Sequence, residues 1–279
     1  MKTIYNQKSK KISYIYLLSI PVIGFILAFS IGYSSYKIYV PLWIINSILM
    51  VYSAWVLGFS KIRSKNKEAA LTAKGAFLLI IPFILMSMFA GLGPPPETAK
   101  IWVETMTEQQ VRYFILVIAG IFVAFGLATL REKLREEGET YYSKLGWTAI
   151  SIAIPLFVIN MLYWGFYLSE LLSLQVSTGL ENSPEWFVPI RKLFGLISVV
   201  EVSLTYLATA LFAISFNIIG KIGSTSCKVY VLISSIALLV TILSAFFEEQ
   251  FLIAGFIVSI PAVPFIMPYL IALNLLKKI

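Results

Sequence analysis

Residues 147–168, WTAISIAIPLFVINMLYWGFYL, decide the fold, because 22 consecutive positions carry no charged side chain. A helix rises about 1.5 Å per residue, so a run of this length crosses the roughly 30 Å hydrocarbon core of a bilayer. A membrane β-barrel would instead show segments of about ten residues that alternate apolar and polar, and this run is apolar on every side. In lipid each backbone N–H and C=O needs a partner inside the protein, and a helix supplies those partners within one segment.

Comparable runs occupy residues 13–33, 40–59, 75–91, 111–130, 193–216, 229–247 and 251–273. Together they predict an all-α, polytopic transmembrane helical bundle of about eight spans, a single integral membrane domain over residues 1–279. The chain is 59% hydrophobic and 13% charged, with mean hydropathy +0.86, whereas soluble domains are about half apolar and a quarter charged. Lys2, Lys8, Lys10 and Lys11 resemble the start of a signal peptide, but no small-residue cleavage signature follows, so the first run reads as a retained span.

Orientation comes from the basic residues. With eight spans, seventeen Lys and Arg fall in the N-terminus, the even-to-odd loops and the C-terminus, against five on the other side: Lys37, Lys100, Arg112, Arg191 and Lys192. Short loops rich in Lys and Arg stay cytoplasmic, so Lys61, Arg63, Lys65, Lys67 and Lys74, and likewise Arg131, Lys133, Arg135 and Lys144, predict both chain ends inside. The opposite side carries Glu97, Glu104, Glu108, Glu170, Glu181, Glu185, Glu248 and Glu249, with Trp102, Trp186 and Phe187 placed as interfacial anchors. The expected location is the cell membrane, plasma or inner. The formal charge of +8 is explained by this topology, and nucleic acid is not an expected partner.

Spans one and five share Ile20-Pro21 and Ile154-Pro155, and spans four and eight share Ile118-Ala119-Gly120 and Ile253-Ala254-Gly255. The near-equal offsets suggest a duplication of four spans, with halves 1–135 and 136–279 arranged as parallel repeats; chance likeness among apolar helices is the alternative.

The chain has one cysteine, Cys227, no histidine, and fourteen acids that are all glutamate. These absences exclude an intramolecular disulfide, His-based or multi-Cys metal and haem sites, and Ser-His-Asp or Cys-His catalysis. No glycine-rich phosphate loop is present, no cofactor is expected, and an enzyme is the less favoured class.

Glu201 is the one acid inside a predicted span, where a charge costs several kcal/mol. Steps of one helical turn place Ser198, Glu201, Thr205 and Thr209 on a stripe that should face the bundle interior. Asn46 on the second span, and Asn160, Tyr163 and Trp164 on the fifth, are its candidate partners in a substrate-binding site, though such amides also serve as interhelical glue. Pro261, Pro264 and Pro268 should break the last span and free carbonyls, with Pro21, Pro82 and Pro155 acting less severely. Gly24, Ala28 and Gly32, like Gly120, Ala124 and Ala128, read as close-packing surfaces. Gly91-Leu92-Gly93 and Pro94 to Pro96 should end the third span, leaving Thr98 to Gln109 as a short interfacial helix.

These features favour a small transporter or channel-like protein for an ion or small molecule, centred on Glu201. The second reading is a membrane anchor or accessory subunit with a membrane or cytoplasmic protein partner. The third is a lipid-processing membrane enzyme, in which the Glu201 carboxyl with nearby Tyr or Ser, such as Tyr163 and Tyr206, would perform acid-base work. The lipid bilayer is a partner in all three.

Overall fold

The computed structural model describes residues 7–179 and 184–279. Lys2 and Glu181 lie outside the described residues, as does the side chain of Glu248. The described chain is helical with no strand, and the long elements are α1 (Gln7–Ile31), α2 (Tyr36–Leu57), α3 (Lys67–Met86), α4 (Phe89–Leu92), α5 (Ala99–Glu104), α6 (Met106–Glu136) and α7 (Tyr141–Leu162). A π-helical turn, Tyr163–Tyr167, joins α7 to α8 (Leu168–Thr178), and α9 (Phe187–Ile218), α10 (Ser224–Phe246), α11 (Glu248–Ser259) and α12 (Ile266–Lys278) follow. Among the described residues seven helices are long and apolar enough to cross a membrane, and there are eight if Glu249–Ser259 and Val263–Lys278, bent by 57°, are one broken span.

Apolar side chains cover the outside as well as the inside. Val22, Ile26, Ile44, Ile48, Leu232 and Leu239 are all more than half exposed or close to it, as expected where the surrounding solvent is lipid. The packed centre is built from α3, α6, α7 and α9, with α12 against α3 and α1, while α10 and α11 flank α9. Gly75 and Gly126 bring α3 and α6 together: a Cβ on either would stand 2.7 Å from a leucine side chain of the other helix, Leu130 and Leu79 respectively. The first half of α1 and the end of α12 share one end of the bundle, where Lys277 Nζ lies 4.4 Å from the centre of the Tyr14 ring. The basic loops gather at that same end, and Lys221 reaches Glu137 at 3.0 Å.

The prolines act through their missing N–H. Pro21 cannot donate to the carbonyl of Leu17, and the buried Tyr269 hydroxyl donates to that oxygen instead, at 2.6 Å. At the break before Pro261, the Tyr206 hydroxyl donates to the carbonyl of Val258 in the last turn of α11, at 2.8 Å. The carbonyls of Leu17 and Val258 are thus taken by tyrosines of neighbouring helices. α1, α3 and α7 run through Pro21, Pro82 and Pro155 as single helices, whereas the proline-rich last segment is bent by 57° at its break.

The fifth span extends well past its apolar run, as α7, the π turn and α8 form one continuous 38-residue helix. α8 continues because it packs on α5, where Trp102 Nε1 donates to Ser169 Oγ at 2.9 Å. Trp102 is therefore buried between α5 and α8 rather than facing the interface, whereas Trp186 is exposed. At the other end the Glu139 carboxylate caps α7, accepting from the backbone N–H of Tyr142 at 2.8 Å and of Ser143 at 3.1 Å. Loss of such a cap costs about 1 kcal/mol. Glu139→Ala is expected to lower unfolding stability in mixed micelles by that amount; an unchanged midpoint would show that the cap contributes nothing.

Candidate functional site

An extensive helix-helix seam joins α7 and α9. It closes because Gly146 carries no side chain: a Cβ there would stand 3.2 Å from the Ala208 carbonyl and 3.0 Å from the Phe212 ring. Higher in the seam, Asn160 of α7 and Glu201 of α9 face each other at 1% and 2% exposure, and Asn160 Nδ2 donates to Glu201 Oε1 at 3.0 Å. Glu201 Oε2, Asn160 Oδ1 and the Tyr163 hydroxyl are buried without a hydrogen-bond partner in the protein.

Thr205 and Thr209 belong to the same stripe but spend their hydroxyls on their own helix. Each donates at 2.8 Å to a carbonyl four residues back, Glu201 and Thr205 respectively. Ser198 lies one turn toward the other end, half-buried. Tyr163 opens the π turn, and its ring stacks on Phe194 of α9 with centroids 3.7 Å apart and planes 5° apart. Trp164 meets the Tyr163 ring edge-on at 5.3 Å. The π turn accommodates close contact with α6, since a Cβ on Gly165 would be 2.4 Å from the Cβ of Tyr113.

Asn46 stands apart from this group. Its Oδ1 accepts from the Tyr16 hydroxyl at 2.7 Å and its Nδ2 donates to Ser87 Oγ at 3.0 Å, tying α2 to α1 and to the end of α3. The structure thus brings together Glu201 and Asn160, sets Tyr163 and Trp164 one turn along α7, and gives Asn46 other partners. Among the described residues no three of His, Cys, Asp and Glu come together as metal ligands would.

No protein-family model, no curated protein and no solved structure matches the chain. The seam's chemistry therefore has to be read from its own atoms.

A second polar centre escaped the sequence reading, which counted Arg112 with the outer loop. Arg112 is 5% exposed, two turns into α6. Its Nη1 donates to the Gly93 carbonyl at 2.7 Å, its Nη2 to the Leu92 carbonyl at 3.1 Å, and its Nε to Gln109 Oε1 at 3.2 Å. The glycines of the Gly91-Leu92-Gly93 turn make this geometry. Gly93 has φ +66°, and a Cβ on it would stand 2.7 Å from the backbone of Gly32; a Cβ on Gly91 would stand 2.2 Å from that of Tyr39. The signal available in sequence was an arginine one residue inside an apolar run, preceded by a glutamine three positions back.

Proposed function

We propose that this multi-pass membrane protein is a small transporter of the cell membrane, moving an ion or small molecule, with the Glu201–Asn160 pair as its polar centre. One observation carries the reading: three buried polar atoms, Glu201 Oε2, Asn160 Oδ1 and the Tyr163 hydroxyl, lie along one face of α7 and its contact with α9 without partners in the protein. Each such atom costs about 1–3 kcal/mol, so the group is expensive unless a proton, an ion or a solute serves it. A Glu201 carboxyl can alternate between an acceptor-only anion and a neutral form that donates one hydrogen bond. Deep in a span this alternation is the chemistry on which proton relays depend. The π turn beside it supports the reading, since such turns interrupt α-helices most often at functional sites.

The test is proton flux into proteoliposomes that enclose a pH-sensitive dye, with a pH step imposed outside. Glu201→Gln keeps the size of the side chain and an oxygen for Asn160 Nδ2, so the bundle should assemble and the flux should fall by about tenfold or more. Flux equal to that of the unaltered protein would remove Glu201 from the mechanism.

A further inference from the structure

Beside Arg112 lies a cavity of about 150 Å³ whose walls are almost wholly apolar. Pro21, Gly24 and Ala28 of α1 form one side, and Pro261 and Ala262, at the break of the last span, form another. Phe25 and Phe29 also line it and are about half exposed, so the cavity opens past them to the lipid-facing surface. Gly24 and Ala28 had been read as a close-packing surface. In the structure a Cβ on Gly24 would meet nothing within 4 Å, so Gly24 leaves space instead of receiving a helix.

The charge at the head of this cavity is not compensated. A guanidinium carries five N–H donors, and those of Arg112 reach three acceptors, two backbone carbonyls and one amide oxygen, all neutral. Among the described residues no carboxylate pairs with it, and the aromatic ring of Phe89 lies 5.7 Å away. Holding the turn at Gly93 requires donors, which a neutral glutamine could supply in part. A buried full charge calls for an anion, and guanidinium binds phosphate through paired N–H groups.

We propose that this cavity binds an anionic phospholipid from the adjoining leaflet, with its phosphate on Arg112 and the first part of an acyl chain between α1 and the broken last span. The site is separate from the α7–α9 seam, so the inference stands whether or not Glu201 takes part in transport. Its shape fits an amphiphile: one cation at one end, apolar walls below, and an opening toward lipid through which the rest of the chain leaves.

The full-length protein is placed in nanodiscs of phosphatidylcholine containing phosphatidylglycerol, released into the gas phase, and the lipids retained are identified by mass. The unaltered protein should keep one phosphatidylglycerol in preference to phosphatidylcholine. Arg112→Gln removes the charge, and Gly24→Leu places bulk in the cavity from a position where an added Cβ meets nothing within 4 Å; both should lower that retention at least tenfold. Should Arg112→Gln fail to fold, Gly24→Leu alone decides. Three results would overturn the proposal: equal retention of the two lipids, undiminished phosphatidylglycerol on Gly24→Leu, or full displacement by glycerol phosphate, which would mark a site for a free anion.

Discussion

Gly58→Ala should destabilise the protein by about 3 kcal/mol, the upper part of the range for overpacking a filled interior. Gly58 follows α2 at the end of the bundle that holds Lys277, and its φ of 174° is extended backbone that any residue adopts, so conformation is not the reason for glycine there. The reason is proximity: an added Cβ would lie 2.2 Å from the carbonyl oxygen of Leu276 and 3.2 Å from Ile279 Cγ1. Leu276 is fully buried in α12, the half-span inserted among α1, α2 and α3, so its backbone cannot move away without shifting that helix. Unfolding in mixed micelles with increasing dodecyl sulfate would measure the loss. A midpoint that does not move would mean that α12 is not seated against α2 in this way.

Glu137→Ala should cost a similar amount, about 3 kcal/mol, through the charge it strands. Lys133 has a side chain only 2% exposed, and its Nζ lies 2.5 Å from Glu137 Oε1, which Lys221 also approaches at 3.0 Å. Removing one member of a buried pair leaves the other desolvated and uncompensated, which typically costs 3–5 kcal/mol. The lower end applies here, because Lys133 is near the end of α6 and a lysine stem can turn its head toward water. Lys133→Met in the same background should recover most of the loss, since an apolar residue of similar length needs no partner.

The same pair gives a pH dependence with a defined sign. Burial pushes the Glu137 carboxyl up, but the hydrogen bonds and charges of Lys133 and Lys221 outweigh it and hold the group below its ordinary value of 4.5. A carboxyl whose folded value is depressed stabilises the fold above the unfolded value and loses that contribution as pH falls through the folded one. The stability difference between the unaltered protein and Glu137→Ala should therefore be complete at neutral pH and shrink below pH 4.5. A difference that stayed constant down to strong acid would show that charge pairing is not what Glu137 contributes.

Of the candidate site, the position of Glu201 was legible and its partner only partly so. A glutamate in the middle of an uninterrupted apolar run has to face protein, and Asn160 was one of two amides at plausible depth. Which amide it meets depends on the seam that Gly146 permits between α7 and α9, and this seam leaves Asn46 to Tyr16 and Ser87. The threonines of the stripe were read as part of the site, yet a hydroxyl on a helix can always bond the carbonyl one turn back, and theirs do.

Sequence alone determined that the chain is a bundle of apolar helices and where its proline-rich last segment breaks. Those properties are local: twenty apolar residues must satisfy their own backbone in lipid, and proline withholds its N–H wherever it stands. Only the tertiary structure decided that Arg112 folds inward, that Gly24 and Ala28 border a cavity, and that Asn160 is the group meeting Glu201. The spans are apolar on all faces, so no hydrophobic stripe dictates how each one turns about its axis. In a bilayer, packing and a few polar contacts make that choice, and both depend on residues far apart in the chain.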